Sequence, residues 1–149
     1  MFQHILIAVD GSDDSHQAVQ AAIEIAKKFL GDVLVLHVHE HELGKRAAGY
    51  PMETSEDSNR MVSDAVKTLQ DSGVTARGEV QEAVAGRAAK HIVDTAKSQS
   101  SDLIVMGSRG MSDLAGLLLG SVTHKVMQLA QESVLVVRAP EGEGGQQPV

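Results

Sequence analysis

Apolar residues along this chain come in two alternating patterns. Ile5-Leu6-Ile7-Ala8-Val9 is a continuous apolar run rich in β-branched residues, followed at once by Asp10-Gly11-Ser12-Asp13. Such runs suit strands buried on both faces of a parallel sheet. Val19, Ala22, Ile23, Ala26 and Leu30 then recur at helical spacing, with Ser12 or Asp13 as the cap and Gly31 as the stop. Val33 to Val38 is a second strand. His39 to Glu53 is polar and irregular, long for a loop in a compact domain. Ser55 to Ser72 has helical periodicity on Val62, Ala65, Val66 and Leu69, and Gly73 ends it. Thr75 to Gln81, interrupted by Gly78, is a weaker third strand. Ala85 to Ser98 is a helix with Ala88, Ala89, Ile92, Val93 and Ala96 inward. Leu103 to Met106 is the fourth strand, Ser121 to Ala130 the fourth helix with Val122, Val126 and Leu129 or Ala130 inward, and Val134 to Val137 the fifth strand.

Strict alternation of strand and helix predicts an α/β fold with a parallel sheet. Two halves wound in opposite senses from the first strand give the order 3-2-1-4-5 with four helices. Residues 1–140 make a single domain. Residues 141–149 hold three glycines and a proline with no large apolar anchor before Val149, and are expected to form a disordered tail.

Bulk properties narrow the function. At 149 residues the chain buries enough surface to need no staple, and without cysteine neither a disulfide framework nor a thiolate zinc site is available. A formal charge of −7 and an aromatic content of 2% argue against nucleic-acid binding. No Lys or Arg precedes the first apolar run, so it is not a secretory signal, and no run approaches the ~20 residues of a membrane helix. A soluble cytoplasmic protein without membrane insertion is expected.

The chemistry concentrates at the switch point between strands one and four, where a doubly wound sheet binds ligands. Asp10-Gly11-Ser12 follows the first strand, and Gly107 to Ser121, GSRGMSDLAGLLLGS, follows the fourth. Glycines at 107, 110 and 120 let the backbone approach phosphate oxygens and adopt positive φ. The amides of Ser121, Val122 and Thr123 head a helix, where free N–H groups and the dipole favour an anion. Hydroxyls of Ser108, Ser121 and Thr123 add donors. Ionised Asp10 only accepts, which suits a ribose hydroxyl or Mg²⁺. Arg109 is the cation within the loop. The chain has no GxxxxGK[ST] sequence and no GxGxxG after the first strand, so neither the Walker loop nor the dinucleotide fingerprint applies. No GxSxG elbow supports a hydrolytic serine.

The spacing Gly107-x2-Gly110-x9-Gly120-Ser121, together with Asp10-Gly11-Ser12 and Leu36-His37-Val38, resembles the ATP-binding branch of the universal stress protein family over about residues 2–138. The resemblance implies a three-layer α/β sandwich of the adenine nucleotide alpha hydrolase-like kind, often dimeric through its last strand. It implies bound ATP, with Ala8, Asp10 and Val38 at the nucleoside and Met106, Gly107, Gly110, Gly120, Ser121 and Val122 at ribose and phosphates. The family often has proline at the position of Ala8 and Pro-Cys-Pro at Gln131-Glu132-Ser133. Neither departure touches the phosphate glycines, and the second bears on how the last strand is presented.

The expected function is therefore an ATP-binding stress-response regulator, with Mg²⁺ at Asp10, whose occupancy is sensed through the long loop or a homodimer edge. The alternatives are a slow ATPase or phosphotransferase at the same site and a nucleotide-free interaction protein. Phosphoryl transfer needs a positioned base and added positive charge; no water-positioning residue is legible, so feeble hydrolysis at most is expected. Val134 to Val137, apolar on both faces yet at the sheet edge, predicts a homodimer through that strand. Leu117-Leu118-Leu119 is expected to fold back on the core. His37, His39 and His41, with Glu40 or Glu42, could ligate a metal, but the segment is expected to leave the strand at His39 and lose its alternation.

Overall fold

The computed structural model describes residues 1–41, 53–110 and 119–140. Its elements in chain order are β1 (His4–Ala8), α1 (Asp13–Phe29), β2 (Asp32–His41), α2 (Ser55–Asp71), β3 (Thr75–Val84), α3 (Ala88–Ser98), β4 (Leu103–Gly107), α4 (Ser121–Leu129) and β5 (Ser133–Val137). All strand pairs are parallel and the sheet order is β3-β2-β1-β4-β5, the order the alternation of elements predicts.

Side chains alternate across the sheet, so each central strand feeds two cores. Ile5, Ile7, Val33, Val35, Leu103 and Val105 point to one face, where α1 and α2 cover them through Ala18, Val19, Ala22, Ala26, Val62 and Leu69. Leu6, Leu34, Leu36, Ile104 and Met106 point to the other, under Ala89, Ile92 and Ala96 of α3 and Val126 of α4. Two helices on each face of one sheet make three layers.

Several boundaries depart from the sequence expectation, each for a local reason. At the end of α1 the left-handed residue is Leu30, with φ 56°, not Gly31. Gly31 is reserved for a close approach: a Cβ there would lie 2.7 Å from the Phe2 carbonyl oxygen. Leu30, expected inward, is therefore turned out and 90% exposed. Leu129, the other inward alternative in α4, is also exposed, and Ala130 packs against the core in its place.

β3 runs three residues past Gln81, because its pairing with β2 continues through His39↔Glu82, Glu40↔Ala83 and His41↔Val84. α3 consequently starts at Ala88. The carboxylate of Glu40 accepts from Gly86 N–H (2.7 Å) and Ala88 N–H (3.0 Å), capping α3 from the neighbouring strand. Gly78 is not an interruption but a packing requirement, since a Cβ there would collide with Val62 of α2. β2 keeps its strand conformation through His41, so the expected loss of alternation at His39 does not occur. Residues 42–52, Leu117, Leu118 and the tail 141–149 lie outside the described residues, and with them the expectations for the long loop, most of the leucine triplet and the C-terminal tail. No helix among the described residues is long and apolar enough to cross a membrane.

Candidate functional site

β1 and β4 are adjacent, and a cavity of about 540 Å³ lies at the carboxyl ends of the central strands. That volume lies within the range of small-molecule sites. Ala8 and Asp10 reach it from the end of β1, and Val38 reaches it from β2. Met106, Gly107, Arg109 and Gly110 reach it from β4 and its loop, and Gly120, Ser121, Val122 and Thr123 from the start of α4. Eleven of the fourteen candidate residues thus share one cavity. Residues 111–118, between the two halves of the glycine loop, lie outside the described residues.

Gly11, Ser12 and Ser108 do not line the cavity. Gly11 sits at φ 82° in the turn after β1 and faces Met61. Ser12 caps α1 by accepting from Ser15 N–H, and its hydroxyl donates to Asp10 Oδ1 at 2.6 Å. Ser108 is buried, and its hydroxyl donates to Asp14 Oδ2 at 2.6 Å. The Thr123 hydroxyl is likewise committed, donating to the Gly107 carbonyl at 2.8 Å. Two of the expected hydroxyl donors therefore hold the loop in shape, and Ser121 retains a hydroxyl at the cavity.

The glycines also divide their roles. Gly107 has no positive φ; a Cβ there would lie 2.7 Å from Asp14 Cβ, so its bareness admits the first turn of α1. Gly120 is the N-cap of α4 at φ −69° and ψ 160°, again outside the left-handed region. Among the described residues no side chain caps α4, and its first helical acceptor bond runs from His124 N–H to the Gly120 carbonyl. The N–H groups of Ser121, Val122 and Thr123 are thus without helical partners at the cavity wall, where the helix dipole also favours negative charge.

Asp10 stands on the β1 side of the same cavity. Its Oδ1 accepts the Ser12 N–H (2.9 Å) and hydroxyl, while Oδ2 has no partner among the described residues. A fixed carboxylate with one free oxygen suits a ribose hydroxyl or a hard cation.

Val38 offers a different kind of contact. The Leu36 carbonyl accepts from Val9 N–H at 2.9 Å, so the peptide groups of Leu36 face β1. Residues two apart on a strand face the same side, and β1 has ended by the level of Val38. The N–H and C=O of Val38 therefore open toward the cavity. Ile92, Met106 and Val122 supply apolar surface around that opening.

Residues that sequence reasoning did not assign complete the wall. His37 Nδ1 donates to the Val9 carbonyl at 2.7 Å, and its Nε2 lies 2.6 Å from Glu53 Oε1, which also accepts the Ser58 hydroxyl at 2.7 Å. His37 and Glu53 both line the cavity. Asp14, in the first turn of α1 and outside the cavity lining, is buried and accepts from Ser108 Oγ, Arg109 N–H (3.1 Å) and Ala139 N–H (2.8 Å). Burial pushes its carboxyl up, but those three hydrogen bonds and the Arg109 charge outweigh it and hold the pKa below the usual value. No periodicity signals this role, because the partners are about a hundred residues away.

Known proteins share the fold and the family pattern of this chain. The family model described as the universal stress protein family matches residues 1–138. Universal stress protein YxiE of Bacillus subtilis is 36% identical over 148 residues, covering 93% of this chain and all of that protein. Universal stress protein MJ0531 of Methanocaldococcus jannaschii is 34% identical, covering 96% of this chain and 86% of the relative. The solved structure of MJ0577 superposes with a TM-score of 0.77 at 26% identity, covering 95% of this chain and 99% of the other. A universal stress protein in complex with cAMP superposes with a TM-score of 0.68 at 27% identity, covering 93% and 98%. The chain belongs to the universal stress protein family.

Proposed function

We propose that the cavity between β1 and β4 binds an adenine nucleotide, ATP with Mg²⁺ in the first instance, and that the chain is a regulatory module whose occupancy is sensed by its surroundings. One observation carries this reading: three amides at the start of α4, without partners among the described residues, line the same cavity as the carboxylate of Asp10, whose Oδ2 is likewise unengaged among them. The amides suit phosphate oxygens. Asp10 suits a ribose hydroxyl or, with phosphate oxygens and water, Mg²⁺. The Val38 peptide, flanked by apolar side chains, suits the edge of a planar base. A family relative of the same fold is bound to cAMP, which supports the adenine class.

The site argues for retention more than turnover. Arg109 is the cation of the described wall; of its two carboxylates, Glu53 is engaged by His37 and Ser58, and the free oxygen of Asp10 is the one that the ribose hydroxyl or Mg²⁺ takes in this reading. Transition-state stabilisation needs additional positive charge and a free base. Single-turnover incubation with labelled ATP should therefore release product no faster than buffer controls. A rate well above them would favour the ATPase or phosphotransferase reading.

The binding reading is tested by mass spectrometry of the natively purified protein and by calorimetry with ATP, ADP, AMP and cAMP. A co-purified or titrated adenine nucleotide with micromolar or tighter affinity is expected. Gly120→Val should abolish it while the far-ultraviolet circular dichroism is retained. Failure of every adenine nucleotide to bind below millimolar concentration, or unchanged affinity in a folded Gly120→Val, overturns the reading.

A further inference from the structure

We infer that His39, His41 and Glu82 form a binding site for a divalent transition-metal ion of the zinc type, outside the nucleotide cavity. β2 keeps its strand conformation to His41, so His37, His39 and His41 share one face of the sheet. His37 is committed to Val9 and Glu53, which leaves the outer two. Glu82 of β3 stands directly opposite His39 in the register. One ligand atom from each of His39, His41 and Glu82 falls within 4.8 Å of the others. His41 Nε2 contacts Glu82 Oε2, and His39 Nδ1 lies 3.3 Å from the same oxygen.

The state of His39 separates this cluster from a surface ion pair. Its side chain is 11% exposed, and Nδ1 is buried without a hydrogen bond among the described residues, its approach to Glu82 lacking the alignment of one. A buried ring nitrogen left unpaired is costly, and a metal ion between the three side chains satisfies it. The other nitrogen, Nε2, faces Glu53 Oε2 at 3.9 Å, and Glu53 is itself held by His37 and Ser58. Metal-bound histidines commonly have a carboxylate behind the far nitrogen, which fixes the ring and raises its basicity.

The donor set selects the ion. Two imidazoles and one carboxylate suit Zn²⁺ and its late first-row neighbours. Mg²⁺ and Ca²⁺ prefer all-oxygen shells. Three protein ligands leave a further position open to water. Glu40, which the sequence offers as a ligand, projects from the opposite face and caps α3 instead. Glu42 lies outside the described residues.

The test uses the tag-free full-length chain, stripped of metal and nucleotide and titrated with Zn²⁺ by calorimetry. One Zn²⁺ per chain with micromolar or tighter affinity is expected. His39→Ala, His41→Ala and Glu82→Gln should each weaken it by more than the about 10–100-fold that loss of an outer partner costs. His16→Ala, on the exposed side of α1, should leave it unchanged. Visible d–d bands on Co²⁺ substitution, lost in folded Glu82→Gln, give a second readout of direct ligation. Affinity no tighter than millimolar, or affinity insensitive to the three ligand variants, overturns the site. The same titration on Gly120→Val should match the wild type, which keeps the outcome separate from that of the nucleotide reading.

Discussion

Asp14 and Ser108 are 94 positions apart in sequence, yet the Ser108 hydroxyl donates to the Asp14 carboxylate at 2.6 Å. Asp14 sits in the first turn of α1 and also takes the Arg109 and Ala139 amides. One carboxylate thus fixes the start of the glycine loop, the end of β4 and the chain leaving β5.

Asp14→Ala leaves a buried hydroxyl and two amides without their acceptor. It should cost about 3 kcal/mol in urea unfolding, since each bond to a charged group is worth about 1.5–3 kcal/mol and not all are lost in full. The folded pKa of Asp14 lies below its ordinary 3.8, so its contribution is complete above that value and fades as pH falls through the folded pKa. The stability difference between wild type and Asp14→Asn should therefore shrink on acidification below about 3.8. A difference that is constant or growing down that range would contradict the bonding.

Gly107→Ala should be destabilising even though φ at this position suits any residue. The new Cβ would lie 2.7 Å from Asp14 Cβ and 3.0 Å from Ser15 N, and only movement of α1 relieves it. Overpacking of this kind costs about 1–3 kcal/mol. Thermal melts of Gly107→Ala check this, and an unchanged midpoint would show that α1 yields freely.

Leu30→Gly should stabilise the protein. Leu30 is 90% exposed and held at φ 56°, so the side chain contributes little packing while its Cβ opposes the conformation. Relief of the left-handed penalty, less the extra unfolded-state freedom of glycine, predicts a gain of about 0.5–1 kcal/mol. Chemical denaturation at fixed pH measures it, and a loss of stability would show that Leu30 has a partner.

β5 pairs with β4 on one side and is the last strand of the sheet, with Val134 to Val137 all half-buried. If that edge joins two copies, sedimentation at micromolar concentration gives a dimeric mass and Val136→Lys gives a monomer, because a lysine blocks edge pairing. A monomeric wild type would remove β5 from consideration as an interface.

The order of elements was legible because each core strand carries apolar residues on both faces and each helix carries them on one. Ile5 to Val9 and Leu103 to Met106 could be placed in the sheet centre from that alone. The cavity was legible because Asp10 and Gly107–Ser121 both follow central strands, and winding reversal must bring such loops together. Individual roles were less so. Gly78, Gly31 and Gly107 all looked like backbone punctuation, and each proved to accommodate a neighbour: Val62, Phe2 and Asp14.

The layers, the strand order and the ends of the strands at which the cavity opens could all be read from the amino-acid order, because these follow from periodicities of 2 and 3.6 residues and from chain connectivity. Tertiary structure decided which polar atoms remain free. Ser108 and Thr123 use their hydroxyls inside the protein, while Asp10 Oδ2 and the first amides of α4 have no partner among the described residues. It also kept His39 and His41 on one sheet face beside Glu82, through pairing with a strand whose own pattern is weak. The physical reason is the same in each case. A hydrogen bond or a packing contact between distant segments depends on ångström-scale positions, and local sequence patterns carry no such distances.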